Sequence, residues 1–161
     1  MLEQAPDEAF AFWDYGPELS RRFRALKVWM MLKGVGLRRL GEAVEKDLAC
    51  ARHLERLVQA SDDFVMLAPV ELSIFCFRYV PTALKHALAG AKEEERKRID
   101  EELDGLNEQL LINLQQDGSS YLSNARLRGR FSLRGCVMNY RTTLRDMEIL
   151  LDDLRRVAKA L

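Results

Sequence analysis

From Ser73 to Tyr79 the side chains alternate, and both alternating sets are largely apolar: Phe75, Phe77 and Tyr79 point one way, Ile74 and Cys76 the other. Such a strand is poorly suited to an edge or a one-sided sheet, where one apolar set would face water. It is expected to run centrally, with material packed on both faces. A shorter run, Phe64 to Leu67, precedes it across Pro69 and reads as a second strand.

Helical periodicity flanks these strands. Leu37, Leu40, Val44, Leu48, Ala51, Leu54 and Val58 form one apolar stripe, while Arg38, Glu42, Glu45, Lys46, Arg52 and Arg56 form a solvated face. Upstream, Ser20 is a good N-cap for a helix carrying Phe23, Leu26, Met30 and Val35 with Trp29 beside them, interrupted by Gly34 and Gly36. Residues 81–102 change character and end in the charged run Lys92 to Glu102. With no apolar face of its own, this stretch is expected to be a charged linker or exposed helix. Leu103, Leu106, Leu110 and Leu114 mark a packed helix closed by Asp117-Gly118, and Thr143 with Asp146 resembles a capping box. Leu144, Met147, Leu151, Leu154 and Val157 give the stripe of the last helix.

Tyr121 to Met138 reads as a β-hairpin around Arg128-Gly129-Arg130. A three-residue turn pairs Leu127 with Phe131 and gathers Tyr121, Ala125, Leu127, Phe131, Leu133 and Val137 on one face. A two-residue turn scatters them, so the longer turn is predicted. The fold class is α+β, an antiparallel sheet with helices packed on it. Residues 1–19, dotted with Phe10, Phe12, Trp13 and Tyr15, form an irregular lead-in to a domain spanning 20–161.

The length of 161 residues fits one domain with a real core. Lys plus Arg and Asp plus Glu both total 25, so no basic excess points to nucleic acid. No apolar run approaches the roughly 20 residues that cross a bilayer, and Met1 to Phe12 does not read as a signal peptide. Cys50, Cys76 and Cys136 are widely spaced in apolar patterns, which predicts buried, reduced thiols in a cytoplasmic protein.

No catalytic set assembles from these residues. His53 and His86 lack metal-binding spacing, no Gly-rich loop opens a helix after a strand, and the carboxylates of the charged run read as solvated. One cluster resists a bland reading. Arg21, Arg22 and Arg24 follow Ser20 at a predicted helix start, where the macrodipole disfavours cations by a few tenths to about 1 kcal/mol each. Pairing with Asp14, Glu18 or a partner chain accounts for them, and so does a role in organising a ligand site.

The segment Phe12-Trp13-Asp14-Tyr15-Gly16-Pro17-Glu18-Leu19-Ser20-Arg21-Arg22-Phe23-Arg24-Ala25-Leu26-Lys27-Val28-Trp29 resembles the stretch after the catalytic loop of group II pyridoxal-phosphate-dependent amino-acid decarboxylases, which include aromatic-L-amino-acid, histidine and tyrosine decarboxylases. Weaker likeness continues through Gly36 to Leu40, Ser73 to Arg78, Arg126 to Cys136 and Asn139-Tyr140-Arg141-Thr142-Thr143. The resemblance implies the small C-terminal domain of the aspartate-aminotransferase fold type, in a cytoplasmic homodimer. Its pyridoxal 5'-phosphate lysine and catalytic loop would belong to a large domain whose equivalent segments precede Met1. Ser20 aligns with the small residue that reaches the neighbouring subunit's substrate pocket, with Arg21, Arg22 and Arg24 organising that region.

These expectations define a C-terminal portion of a decarboxylase for an aromatic L-amino acid, inactive and cofactor-free by itself. Its partners would be the large domain and a second subunit, with no membrane or nucleic acid. The alternative is a free-standing dimerisation or interaction module derived from the same fold. In either case Ile74 and Cys76, together with the aromatic lead-in, would form surface that another body covers.

Overall fold

The computed structural model describes residues 22–161, and the chain divides into two compact units, Met1–Leu40 and Gly41–Leu161. Within the first, α1 (Ala25–Val35) ends where Gly36 adopts φ 83° and ψ 148°, a conformation essentially reserved for glycine. Gly34, predicted to interrupt this helix, lies inside it. Arg24 occupies the N-cap position of α1 and its side chain makes no capping bond, while Ser20, the expected cap, lies outside the described residues.

α2 (Leu37–Gln59) buries Ala51, Leu54 and Val58 of the predicted stripe, together with Cys50, while Leu37 and Val44 of that stripe stay exposed. The second unit continues with β1 (Phe64–Met66), β2 (Ile74–Tyr79), α3 (Thr82–Gly90), α4 (Glu93–Asp117), β3 (Ser123–Leu127), β4 (Arg130–Cys136) and α5 (Leu144–Ala158). All pairings are antiparallel in the order β1-β2-β4-β3, so β2 is central as its two-faced pattern requires. Phe75 and Phe77 join Phe131, Leu133, α2, α5 and the C-terminal half of α4 in the main core. Gly118 closes α4 with φ 76°, and Asp146 accepts from the Thr143 amide at 2.7 Å at the start of α5.

The charged stretch is helical, one of its two expected forms, and differs only in having an apolar face. Residues 81–102 form α3 and the first turns of α4, and they do possess an apolar face. Ile99 and Leu103 pack with Val80 in a second cluster against Val65, Leu84 and Leu88. Residues 92–98 remain exposed, as the exposed-helix alternative has it, and Ile99 anchors the stretch in this cluster.

The hairpin also differs. Leu127 pairs with Arg130, leaving Arg128 (φ 51°) and Gly129 (φ 82°) as a two-residue turn with both centres left-handed. This turn matches the natural strand twist. It puts Arg126 rather than Leu127 opposite Phe131, a tolerable exchange because β3 is an edge strand. The Arg126 guanidinium lies 5.9 Å from the Phe131 ring centroid and so covers the ring without an apolar partner. Tyr121, predicted on the core face, is exposed.

Candidate functional site

Ser20 and Arg21 lie outside the described residues. Arg22 and Arg24 are exposed, and no described carboxylate pairs with either. The Arg24 amide donates to the Arg22 carbonyl at 2.7 Å, a tight local turn just before α1. The structure therefore places these two arginines at the entrance to the helix, one at its cap and one before it.

A charged constellation that sequence reasoning missed sits on the other face of β2. Arg78 is only 4% exposed, and its Nη2 donates to Asp100 Oδ1 at 2.7 Å. Arg130 Nη2 approaches Asp100 Oδ2 at 3.2 Å. A buried guanidinium without a counter-charge is costly, and Asp100 supplies that charge from the run read as solvated. The signal was present: Arg78 is the one charged residue in an otherwise apolar strand. Beside this pair, Ala91, Glu93, Arg96, Lys97, Asp100 and Arg130 line a charged cleft of about 420 Å³.

Asp100, Asp104 and Asn107 recur at helical spacing along one side of α4. The β2–β4 ladder stops at Phe77 and Leu133, and beyond it Asn107 and Asp104 hold the freed backbone. Asn107 Oδ1 accepts from the Tyr79 amide and Nδ2 donates to its carbonyl, both at 2.8 Å. Asp104 Oδ1 accepts from the Phe131 amide at 2.8 Å, and its Oδ2 accepts from Arg126 at 3.0 Å.

Cys76, expected to await cover from another body, is buried within this chain, and Ile74 is half-buried. Cys136, expected to be buried, is exposed beside Ser73. It opens onto a mixed cleft of about 500 Å³ walled by Tyr121, Met138 and Tyr140. Burial pushes the Cys50 thiol up, so that thiol stays protonated. His53 Nε2 lies 3.5 Å from Glu148 Oε1, between α2 and α5, and His86 is exposed. No group of three metal-ligating side chains forms among the described residues.

Pyridoxal phosphate needs a lysine held in an enclosed, phosphate-binding pocket, and the described residues do not fit it. Lys27, Lys33, Lys46, Lys92, Lys97 and Lys159 are exposed. Lys85 is half-buried, but its ammonium donates to the Ser61 and Asp62 carbonyls at 3.5 and 3.1 Å.

The pyridoxal-dependent decarboxylase conserved domain matches residues 3–80, from the undescribed lead-in through the end of β2. Residues 3–80 belong to this decarboxylase family's conserved domain. Aromatic-L-amino-acid decarboxylase of Bacillus atrophaeus is 28% identical over 148 residues, 92% of this chain and 28% of that protein. Tryptophan decarboxylase 1 of Oryza sativa subsp. japonica is 34% identical over 119 residues, 74% of this chain and 21% of that protein. The chain thus spans about a quarter of the length of the curated relatives it matches. Among solved structures, Oryza sativa TDC with PLP and tryptamine superposes with a TM-score of 0.72 at 27% identity, covering 91% of this chain and 29% of that one. Mouse CSAD shares the fold with a TM-score of 0.81 at 20% identity, over 98% of this chain and 33% of that one. No described helix is long and apolar enough to cross a membrane.

Proposed function

We propose that this chain is the carboxy-terminal portion of a pyridoxal-phosphate-dependent decarboxylase for an aromatic L-amino acid, and that it completes the substrate pocket and the dimer without being active alone. The observation carrying this reading is its likeness to tryptophan decarboxylase 1, 34% identical along 119 residues yet matching only 21% of that relative. The cofactor would sit on a large domain in the part of the relatives' length that this chain does not match. Ser20 would offer its hydroxyl to a polar substrate ring in the neighbouring subunit. Arg21, Arg22 and Arg24 would order the approach to that pocket. A cytoplasmic homodimer is part of the same proposal.

The test joins this chain to the remainder of Oryza sativa tryptophan decarboxylase 1 in place of its matching segment. The hybrid is supplied with pyridoxal phosphate and with tryptophan, tyrosine, dihydroxyphenylalanine and histidine in turn. Both amine and aldehyde are assayed, because a phenylacetaldehyde synthase of Petunia hybrida is 30% identical to this chain over 132 residues. Turnover by the hybrid and none by the chain alone is expected. A properly folded, cofactor-loaded hybrid without turnover would sink the reading. The alternative, a free-standing interaction module, draws on the self-contained core of residues 41–161 and predicts that inactive outcome.

A further inference from the structure

Helix α1 carries apolar residues on every side and buries none of them. At roughly 100° per residue, Trp29 and Leu32 face one way, Leu26 and Met30 another, and Val28, Met31 and Val35 a third. Val28, Trp29 and Met30 are 55%, 57% and 59% exposed. A helix that is hydrophobic all round belongs in an interior. Its 11 residues are also too few to be stable unaided, since isolated helices below about 12–15 residues are marginal in water.

Charge narrows what can cover it. From Arg22 to Leu40 there is no Asp or Glu, while Arg22, Arg24, Lys27, Lys33, Arg38 and Arg39 are all cationic. Lys33 lays its stem toward Trp29, with its ammonium 5.9 Å from the ring, so the charge sits at the rim of the apolar surface. Two copies of α1 packed together would oppose these cations, and like charges across an interface are strongly unfavourable. The complementary occupant is an apolar groove edged with carboxylates.

The family match identifies where such a groove belongs. Residues 3–80 match the conserved decarboxylase domain, so α1 lies wholly inside that match, and the chain covers only 28% of its Bacillus atrophaeus relative. We propose that α1 is the docking element of this chain, and that its occupant is an apolar, carboxylate-edged groove in the remaining, cofactor-bearing part of that domain. This rests on the reading that the chain works as part of a larger decarboxylase.

Hydrogen exchange across residues 25–35 tests it, comparing the chain alone with the Oryza sativa hybrid. In the hybrid the α1 amides should exchange at least about a hundredfold more slowly than in the chain alone. Met30→Glu gives a second reading. Nothing is buried at this position in the chain alone, so its unfolding midpoint should stay within about 1 °C, as for an ordinary surface change. The same substitution should weaken or abolish assembly of the hybrid. Equal exchange in both proteins overturns the proposal, as does a hybrid that tolerates Met30→Glu. Dimers of the chain alone with a protected α1 also overturn it, because a second copy is then the occupant. A hybrid that fails to accumulate as soluble protein counts against it as well. Protected α1 in an inactive hybrid keeps the docking and removes the functional reading; unprotected α1 in an active hybrid does the reverse.

Discussion

Asn107 grips both backbone polar groups of Tyr79, accepting from the amide and donating to the carbonyl at 2.8 Å each. One side chain thereby stands in for the next residue pair of the β2–β4 ladder. It also donates to the Leu103 carbonyl at 2.8 Å and is completely buried, so its whole hydrogen-bonding capacity is directed inward. The charged N-terminal half of α4 is held to the sheet through this contact and through Asp104.

Asn107→Leu should be among the most damaging single changes in the chain. It preserves side-chain volume but leaves the Tyr79 amide and carbonyl without partners, at about 1–3 kcal/mol for each orphaned group. Urea unfolding should show a midpoint lowered accordingly, with little change in slope. A loss below about 0.5 kcal/mol, the range of ordinary surface changes, would mean that water satisfies these groups equally well.

Gly135 faces Phe75 across the β2–β4 ladder, and a Cβ there would overlap the Phe75 ring. Gly135→Ala should therefore force that ring out of its place in the core. Overpacking of this kind costs about 1–3 kcal/mol. Pairing it with Phe75→Leu should recover part of the loss, a non-additivity that separates a clash from a general weakness of the strand. Simple additivity of the two changes in thermal unfolding would reject the clash.

The features legible in the sequence were those where one face alone decides the outcome. The buried second half of the α2 stripe needed only its own period, and β2 announced its central position by being apolar on both sides. Aligning apolar residues on both strands does not give the hairpin register, in which Leu127 pairs with Arg130 and Arg126 with Phe131. β3 lies at the edge, where Asn124 can stay exposed and Arg126 can roof Phe131, so turn geometry at Arg128 and Gly129 decided instead. The run from Lys92 to Glu102 concealed its packing because Ile99 is its only apolar residue, and its polar contacts depend on strands far away in sequence. Ser20 and the arginines stand out in the sequence only as the order of a family motif, and Ser20 and Arg21 lie outside the described residues. The Arg78–Asp100 pair needed the tertiary structure, since no local pattern links a strand residue to a carboxylate 22 positions later.

Asp63 ties the start of β1 to α5 through two bonds from Arg155, at 2.7 and 3.0 Å. Burial opposes ionisation of this carboxyl, but the Arg155 guanidinium outweighs it and holds Asp63 below the usual carboxylate range. A carboxyl depressed in the folded state contributes stability above its unfolded value, near pH 3.9 for aspartate, and loses it as pH falls through the folded value. The urea midpoint should therefore drop more steeply below about pH 4 in the native chain than in Asp63→Asn. Parallel acid profiles for the two proteins would show that the pair does not contribute.

Arg78 and Asp100 offer the sharpest separation between a stabilising pair and a compensated burden. Arg78 Nε and Nη1 are buried with no described partner, and among the described residues Asp100 is the only carboxylate bonded to this side chain. Asp100→Asn keeps the shape but removes the counter-charge. Breaking a buried pair from one side costs about 3–5 kcal/mol, and it also frees Arg130 from its contact. Arg78→Met removes the buried charge instead and leaves Asp100, which is partly exposed and still has Arg130 nearby. That variant should lose far less, and in combination with Asp100→Asn it should restore most of the stability lost by the latter alone. Chemical denaturation of the three variants decides the matter. If Arg78→Met is as damaging as Asp100→Asn, the pair stabilises the sheet outright rather than merely neutralising a guanidinium that the fold has enclosed.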